Sequence, residues 1–323
     1  MHVDNGLVVG DSRESIETIL KKLSQTYKLK ISERPNQHLG YTLEWNDGSL
    51  TMHQEDFCKK ILDELNMFNS NPIKTPTPMN LRHVLEAESP PIKASYVQKA
   101  IGMLSYLALH TRLDIVFTVN VLSQHVNKPI SAVWQLIKHV LRYLKGTSGM
   151  GIKYTKDNTQ VAGLIGWADA DYANSTITRK STSGYVITLF GNPVSWSTKK
   201  QSIVAQSTTE AEFVAVNKCA KQVRWMSSLL TSIGIDICTP VLLNDNAGAV
   251  FIAQEAKLNS NSKHIEIRFQ YVRDLIKKKL MKIAHISTQL MIADILTEPL
   301  ATTKLTESRK MLKMIDTVHI NGG

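Results

Sequence analysis

Four acidic residues in the second half of the chain have the types and positions to do metal chemistry: Asp169, Glu212, Asp245 and Asp294. Asp169 closes the apolar run 161–167, and Asp245 closes Val241-Leu242-Leu243. Glu212 lies in the first turns of a long helical pattern, and Asp294 opens the last one. Carboxylates at strand ends and helix starts can converge at one edge of a sheet. Converging carboxylate oxygens are the ligands that hard divalent cations such as magnesium take, and such ions serve phosphodiester chemistry.

The elements that must position them read as strands at about 161–168, 184–190, 193–198, 241–245 and 281–287, with a main helix at 208–232 and an extra helix at about 264–279. Three strands followed by alternating helix and strand predict an α/β unit, a mixed five-stranded sheet with helices on its faces. Asp169 and Asp171 are two apart on a strand and share a side of the sheet, with the small Ala170 between them. Asp171 reads as a turn residue rather than a ligand. Glu210 and Glu212 are also two apart, but on a helix that spacing is a rotation of roughly 200°, so only one of them can join the group. Asp245 at the carboxyl end of a fully apolar strand marks a site. It is equally well placed to cap the helix that begins near Ala247, and Asp294 carries the same second reading.

The motifs Trp167-Ala-Asp-Ala-Asp-Tyr-Ala173, Arg179-Lys-Ser-Thr-Ser-Gly-Tyr185, Ser195-Trp-Ser-Thr-Lys-Lys-Gln201, Ser207-Thr-Thr-Glu-Ala-Glu-Phe213, Asp245-Asn246, Lys263-His-Ile265 and Ala293-Asp-Ile-Leu-Thr297 follow one another in this order. Residues 161–300 thereby resemble the ribonuclease H domain of copia-type LTR retrotransposon polyproteins. The resemblance implies a ribonuclease H-like fold over about 158–300. It implies catalysis and metal binding by Asp169, Glu212, Asp245 and Asp294, selecting Glu212 over Glu210. It also implies magnesium or manganese as cofactor, as two ions, and an RNA–DNA hybrid or other nucleic acid as partner. Arg179, Lys180, Lys199 and Lys200 flank the predicted strands and read either as phosphate contacts or as ordinary surface charge. His264 and His285 stand outside the catalytic set.

Residues 1–150 resemble the end of the reverse transcriptase that precedes such a domain, an α+β palm- and thumb-like fragment. An extended run over 2–10 leads into a helix with Ile16, Ile19, Leu20, Leu23 and Tyr27 on one face, opened by Asp11 and Glu14 at capping-box spacing. Tyr41, Leu43 and Trp45 alternate up to Asn46-Asp47-Gly48, and Leu50 and Met52 alternate after it, which predicts a hairpin. Pro72, Pro76, Pro78, Pro90 and Pro91 mark 70–92 as a linker, so that 1–92 forms the palm-end fragment. Residues 93–150 predict three helices, the last opened by Pro129 and closed by Gly146. On that last helix Lys138, Arg142 and Lys145 form a stripe that reads either as a solvated face or as a phosphate contact. Residues 301–323 read as a tail.

The chain departs from the family in places. The Tyr-Val-Asp-Asp polymerase box is His2-Val3-Asp4-Asn5, in which Asp4 remains and Asn5 lacks the second charge. Thr-Arg-Pro-Asp-Ile becomes Thr111-Arg-Leu-Asp-Ile115, and Thr-Lys-Pro-Leu becomes Thr297-Glu-Pro-Leu300. Polymerase activity is therefore not expected.

Bulk properties agree with a folded nucleic-acid partner. The chain is 43% hydrophobic and 20% charged, with formal net charge +10, a balance that favours a polyanion over other partners. Three scattered cysteines make neither a disulfide framework nor a zinc site and point to a reducing compartment, cytoplasmic or nuclear. No run of 18 apolar residues predicts a membrane span, no secretory signal opens the chain, and no motif calls for a small-molecule cofactor. Two readings of function follow: a metal-dependent nuclease that cuts RNA in RNA–DNA hybrids, or an inactive transposon relic that at most binds nucleic acid.

Overall fold

The computed structural model describes residues 6–10, 12–156, 163–175, 178–255 and 263–317, with the backbone alone over 263–268. Asp4 and Asn5 lie outside the described residues. After α1 (Arg13–Ser24) come β1 (Gln37–His38), β2 (Tyr41–Asn46) and β3 (Ser49–His53). The predicted hairpin is present, with Asn46 paired to Ser49 across Asp47-Gly48. Then follow α2 (Glu55–Glu64), α3 (Leu81–Glu86), α4 (Ala94–His110), α5 (Val116–Ser123), α6 (Ser131–Lys145) and β4 (Met150–Thr155). The second half runs β5 (Leu164–Asp171), β6 (Thr182–Leu189), β7 (Asn192–Lys200), α7 (Thr208–Ser232), β8 (Val241–Asn244), α8 (Ala247–Gln254), α9 (Lys263–Lys277), β9 (Lys282–His285), α10 (Thr302–Met311) and β10 (Met314–Asp316).

Two five-stranded sheets result. The first, in the order β1-β2-β3-β4-β10, is antiparallel throughout. The second, in the order β7-β6-β5-β8-β9, is mixed: β7, β6 and β5 are antiparallel neighbours, whereas β5, β8 and β9 are parallel. That order and mixture are the ribonuclease H-like arrangement expected from the resemblance. Helix α7 lies on the second sheet because Phe213, Val216, Ala220 and Val223 are buried on one core with Leu164, Ala168 and Leu242.

Several expectations need correction. Residues 6–10 carry no strand. Ser12 caps α1, accepting from the Ser15 amide, and Asp11 lies outside the described residues. None of α1 is buried, so its apolar face meets no core. Pro129 does not open α6: it precedes the Ile130 N-cap, and its carbonyl accepts from the Ile92 amide at 3.0 Å. Gly146 ends α6 in a right-handed conformation, and what it provides is space, since a Cβ there would come within 2.9 Å of Pro72.

The expected tail from 301 is instead α10 and β10, with Met314 paired to Ile152 of β4. Leu305, Leu312 and Met314 join the first core, as do Val186, Ile292, Ile295 and Leu296 from the second half. The two halves therefore share apolar packing. They are also tied by hydrogen bonds from Trp196 Nε1 to the Ala108 carbonyl and from Asn120 Nδ2 to the Thr198 carbonyl. No helix of the described residues is long and apolar enough to cross a membrane.

Candidate metal centre

Asp169, in the last turn of the pleat of β5, stands opposite Gly184 of β6. A side chain at Gly184 would put a Cβ 2.7 Å from Thr297 Cγ2 and 2.8 Å from Leu296 Cβ. The glycine thus lets the 3-10 turn Ile292–Leu296 lie against the sheet, which brings Thr297 and Asp294 to Asp169. Thr297 Oγ1 donates to Asp169 Oδ2. From the other side α7 delivers Glu212. Ser207 caps that helix by accepting from the Glu210 amide, and Glu210 Oε2 accepts from the Gln206 amide at 2.7 Å. Glu210 is thereby occupied at the helix start, whereas Glu212 is buried against β5 and β8. Asn244 Nδ2 donates both to Glu212 Oε2 and to the Ala168 carbonyl, each at 2.9 Å, and so fixes the glutamate to β5.

Asp245 follows β8. The capping alternative does not apply to it, because Asn246 caps α8 by accepting from the Ala249 amide. Thr288 Oγ1 holds Asp245 Oδ2 at 2.7 Å, and His285 Nε2 donates to the Asp245 carbonyl. Carboxylate oxygens of Asp169, Glu212 and Asp245 lie within 4.8 Å of one another.

Asp294 is close enough to influence Asp169 electrostatically but is engaged elsewhere, in an ion pair with Lys304 of α10. Asp171 also points to a partner of its own, accepting from Arg82 at 2.7 Å. The helix and turn thus separate a group of three from a fourth carboxylate that already has a cation.

The electrostatics follow from burial. Loss of water pushes Asp169 up to about 8, with the Asp294 charge adding to it and the Thr297 hydrogen bond opposing it. Glu212 is pushed up to about 9, first by burial and then by Asp169, against the Asn244 hydrogen bond. Burial also raises Asp294 and Glu298. Buried Asp169 and Glu212, with Asp245 beside them at the edge of solvent, make a clustered acidic group in which the two buried carboxyls favour either protons or a multivalent cation. An all-oxygen set suits a hard ion such as magnesium or manganese.

The basic candidates separate. In the register of the second sheet Asp171 faces Thr182, and Thr182 faces Lys200, so Lys199 and Lys200 flank the end of the sheet that bears the carboxylates. Lys200 Nζ donates to Ser175 and Gln124, while Arg179 and Lys199 are exposed. On α6 the stripe is neither free nor fully solvated. Arg142 Nε donates to the Asn71 carbonyl at 2.7 Å, Lys145 Nζ sits 4.2 Å from the Phe68 ring centroid, and Lys138 lines a cleft of about 650 Å3. The stretch that carries Phe68 and Asn71, at the start of the proline-rich segment, lies on α6 and uses two of its cations.

His264 has only its backbone described. Thr297 and Asn244 were within reach of the sequence, one inside a quoted motif and the other beside Asp245. Lys304 gave no sequence signal.

Comparison with known proteins places this geometry. The chain is 32% identical over its whole length to the Retrovirus-related Pol polyprotein from transposon RE2 of Arabidopsis thaliana. It is 34% identical, over 94% of its length, to the corresponding polyprotein from transposon RE1 of the same plant. It spans about a fifth of those relatives, 22% and 20% of their lengths. No family model matches. Among solved structures, LC11-RNase H1 in complex with an RNA/DNA hybrid aligns with 42% of this chain and 93% of its own, at 17% identity and a TM-score of 0.33. At that score the superposition adds nothing to the strand order, on which the ribonuclease H-like assignment of the second sheet rests. Full-length similarity to the transposon polyproteins, with the ordered motifs and the sheet that carries them, shows that the chain belongs to the Pol polyprotein family of copia-type LTR retrotransposons.

Proposed function

We propose that the second half of the chain is a metal-dependent endoribonuclease that hydrolyses the RNA strand of RNA–DNA hybrids. The observation that carries this reading is the convergence of Asp169, Glu212 and Asp245 oxygens within 4.8 Å at one end of the mixed sheet. These three residues would hold the divalent ion, with Asp294 beside them for a second. Ions bound there supply an activated water and stabilise the leaving oxygen of an in-line displacement.

The protein's own part is positional. Asn244 holds Glu212, Thr297 holds Asp169 and Thr288 holds Asp245, so the ligands are in place before substrate arrives. No side-chain nucleophile is required. The exposed Arg179 and Lys199 at the same end would take backbone phosphates, and the RNA 2′-hydroxyl would mark the strand to be cut. The Arg142 and Lys145 contacts leave Lys138 as the stripe's freer cation for such a role.

A second reading, binding without cutting, is favoured by the engagement of Asp294 with Lys304. Incubation of the purified chain with a labelled RNA–DNA hybrid, in magnesium or manganese and again with chelator, separates the two. The nuclease reading expects metal-dependent RNA products. Hybrid retained on the protein but uncut in either metal would overturn it. Primer extension is not expected in the same preparation.

A further inference from the structure

Among the described residues, Asp294 is the one acid of the four whose carboxylate meets a cation supplied by the chain. It is 4% exposed, and Lys304 reaches it from α10, ten residues further on. Lys304 is not otherwise needed for packing: its side chain remains about one-third exposed, and the core contacts of α10 come from Leu305. Glu298, where the family motif carries lysine, lies between them in sequence and within electrostatic reach of both Asp294 and Lys304. The ammonium therefore has a second acid to turn to if Asp294 is taken by another cation.

We propose that Lys304 is a resident cation that competes with a divalent ion for Asp294. The first ion enters at Asp169, Glu212 and Asp245, whose carboxylates meet no cationic side chain among the described residues. The second enters only when Lys304 leaves Asp294 and moves toward Glu298. Two ions then bind with unequal affinity, and the lysine sets the gap between them. The point charge and flexible stem of lysine suit a displaceable counter-ion better than the planar fork of arginine would. This deepens the nuclease reading, because it concerns the same carboxylates. Its test reads ion binding without hybrid, so a chain that binds two ions as described and never cuts would sink the nuclease reading and leave this one standing.

The experiment is calorimetric titration of the full, metal-stripped chain with manganese, supported by manganese electron paramagnetic resonance to count bound ions. The expected wild-type result is one tight and one weak ion. Lys304→Met should strengthen the weak ion by roughly five- to tenfold, the size of a partly screened ion pair, and leave the tight one unchanged. Asp294→Asn, with Lys304 in place, should erase the weak ion and keep the tight one. Circular dichroism melts check that each variant is folded. Should Lys304→Met not fold, Lys304→Gln keeps a polar partner for Asp294 and must give the same gain. An unchanged weak ion in a folded Lys304 variant overturns the proposal, as does loss of the tight ion in Asp294→Asn.

Discussion

Arg112 and Asp114 on one side, and the buried Asp169 and Glu212 with Asp245 at the edge of solvent on the other, hold ionisable groups in opposite ways. In the helical half Arg112 and Asp114 are fully buried and form a fork: Nε to Oδ1 at 2.9 Å and Nη2 to Oδ2 at 2.8 Å. Thr147 takes one Nη1 donor on its carbonyl and one Nη2 donor on its Oγ1, Tyr143 donates to Asp114 Oδ2, and Arg309 of α10 donates to Tyr143. Each charge has an opposite charge, and the cluster is closed. In the ribonuclease H-like half the three carboxylates receive hydrogen bonds from Asn244, Thr297 and Thr288 but, among the described residues, from no cationic side chain. A self-neutralised buried pair ties elements together, here α10 to α6 and to the loop before α5. A group without a counter-charge of its own is poised to take protons or a cation from solution.

The largest expected effect bears on the open group. Asp245→Asn should abolish hybrid cleavage while hybrid binding stays close to wild type, because the change removes a metal ligand and no phosphate contact. Gel-based cleavage with a parallel binding titration checks it. Cleavage that survives would show that the group is as structural as the Arg112 cluster.

The closed cluster should respond in stability instead. Arg112→Ala leaves Asp114 buried without its charge partner, and a loss of about 3–5 kcal/mol is expected in urea unfolding. A loss under about 1 kcal/mol would mean that water reaches Asp114 and the contrast is overdrawn.

pH sharpens the same contrast. Asp169 and Glu212 are raised when folded, to about 8 and about 9, so the folded state binds more protons than the unfolded one. The stabilisation from those protons is complete below the unfolded carboxylate range, near pH 4, and is lost as pH rises through about 8 to 9. In chelator the melting temperature should therefore fall between about pH 5 and pH 9, and Asp169→Asn should flatten that fall. Magnesium should raise the melting temperature more at about pH 8 than at about pH 5, since protons compete less strongly for the ligands there. Scanning fluorimetry with and without metal measures both, and a chelated melting temperature that climbs with pH would contradict the geometry.

Smallest of all should be Glu210→Gln. Its carboxylate accepts from the Gln206 amide at the start of α7, so a cost of no more than about 1 kcal/mol and unaltered cleavage are expected. A dead Glu210→Gln beside an active Glu212→Gln would reverse the assignment of the helix face.

The main helix could be read at its observed bounds, Thr208–Ser232, because Ser207 and Glu210 announce its start and the apolar positions of Phe213, Val216, Ala220 and Val223 keep helical spacing. The hairpin at Asp47-Gly48 could be read for a similarly local reason. β4 and β10 could not. Each is short, and their pairing joins Ile152 to Met314 across the whole second half of the chain. The face of α1 shows the converse failure, since a clear amphipathic pattern meets no core. Periodicity reports what a segment can bury, not whether anything lies against it.

Residue type and order along the chain were enough to name the family, the main helix, the mixed sheet and the four acids from which the group of three is drawn. These depend on local spacing and on motifs a few residues long. Tertiary structure alone decided that three of the four acids stand within one ion's reach while Asp294 faces Lys304, that Arg142 turns to Asn71 and Lys145 to Phe68, and that the two halves share apolar packing. Each of those outcomes depends on which distant side chain meets a charge once water has been excluded. The energy of a charge is set by its neighbours in space and not by its neighbours in sequence.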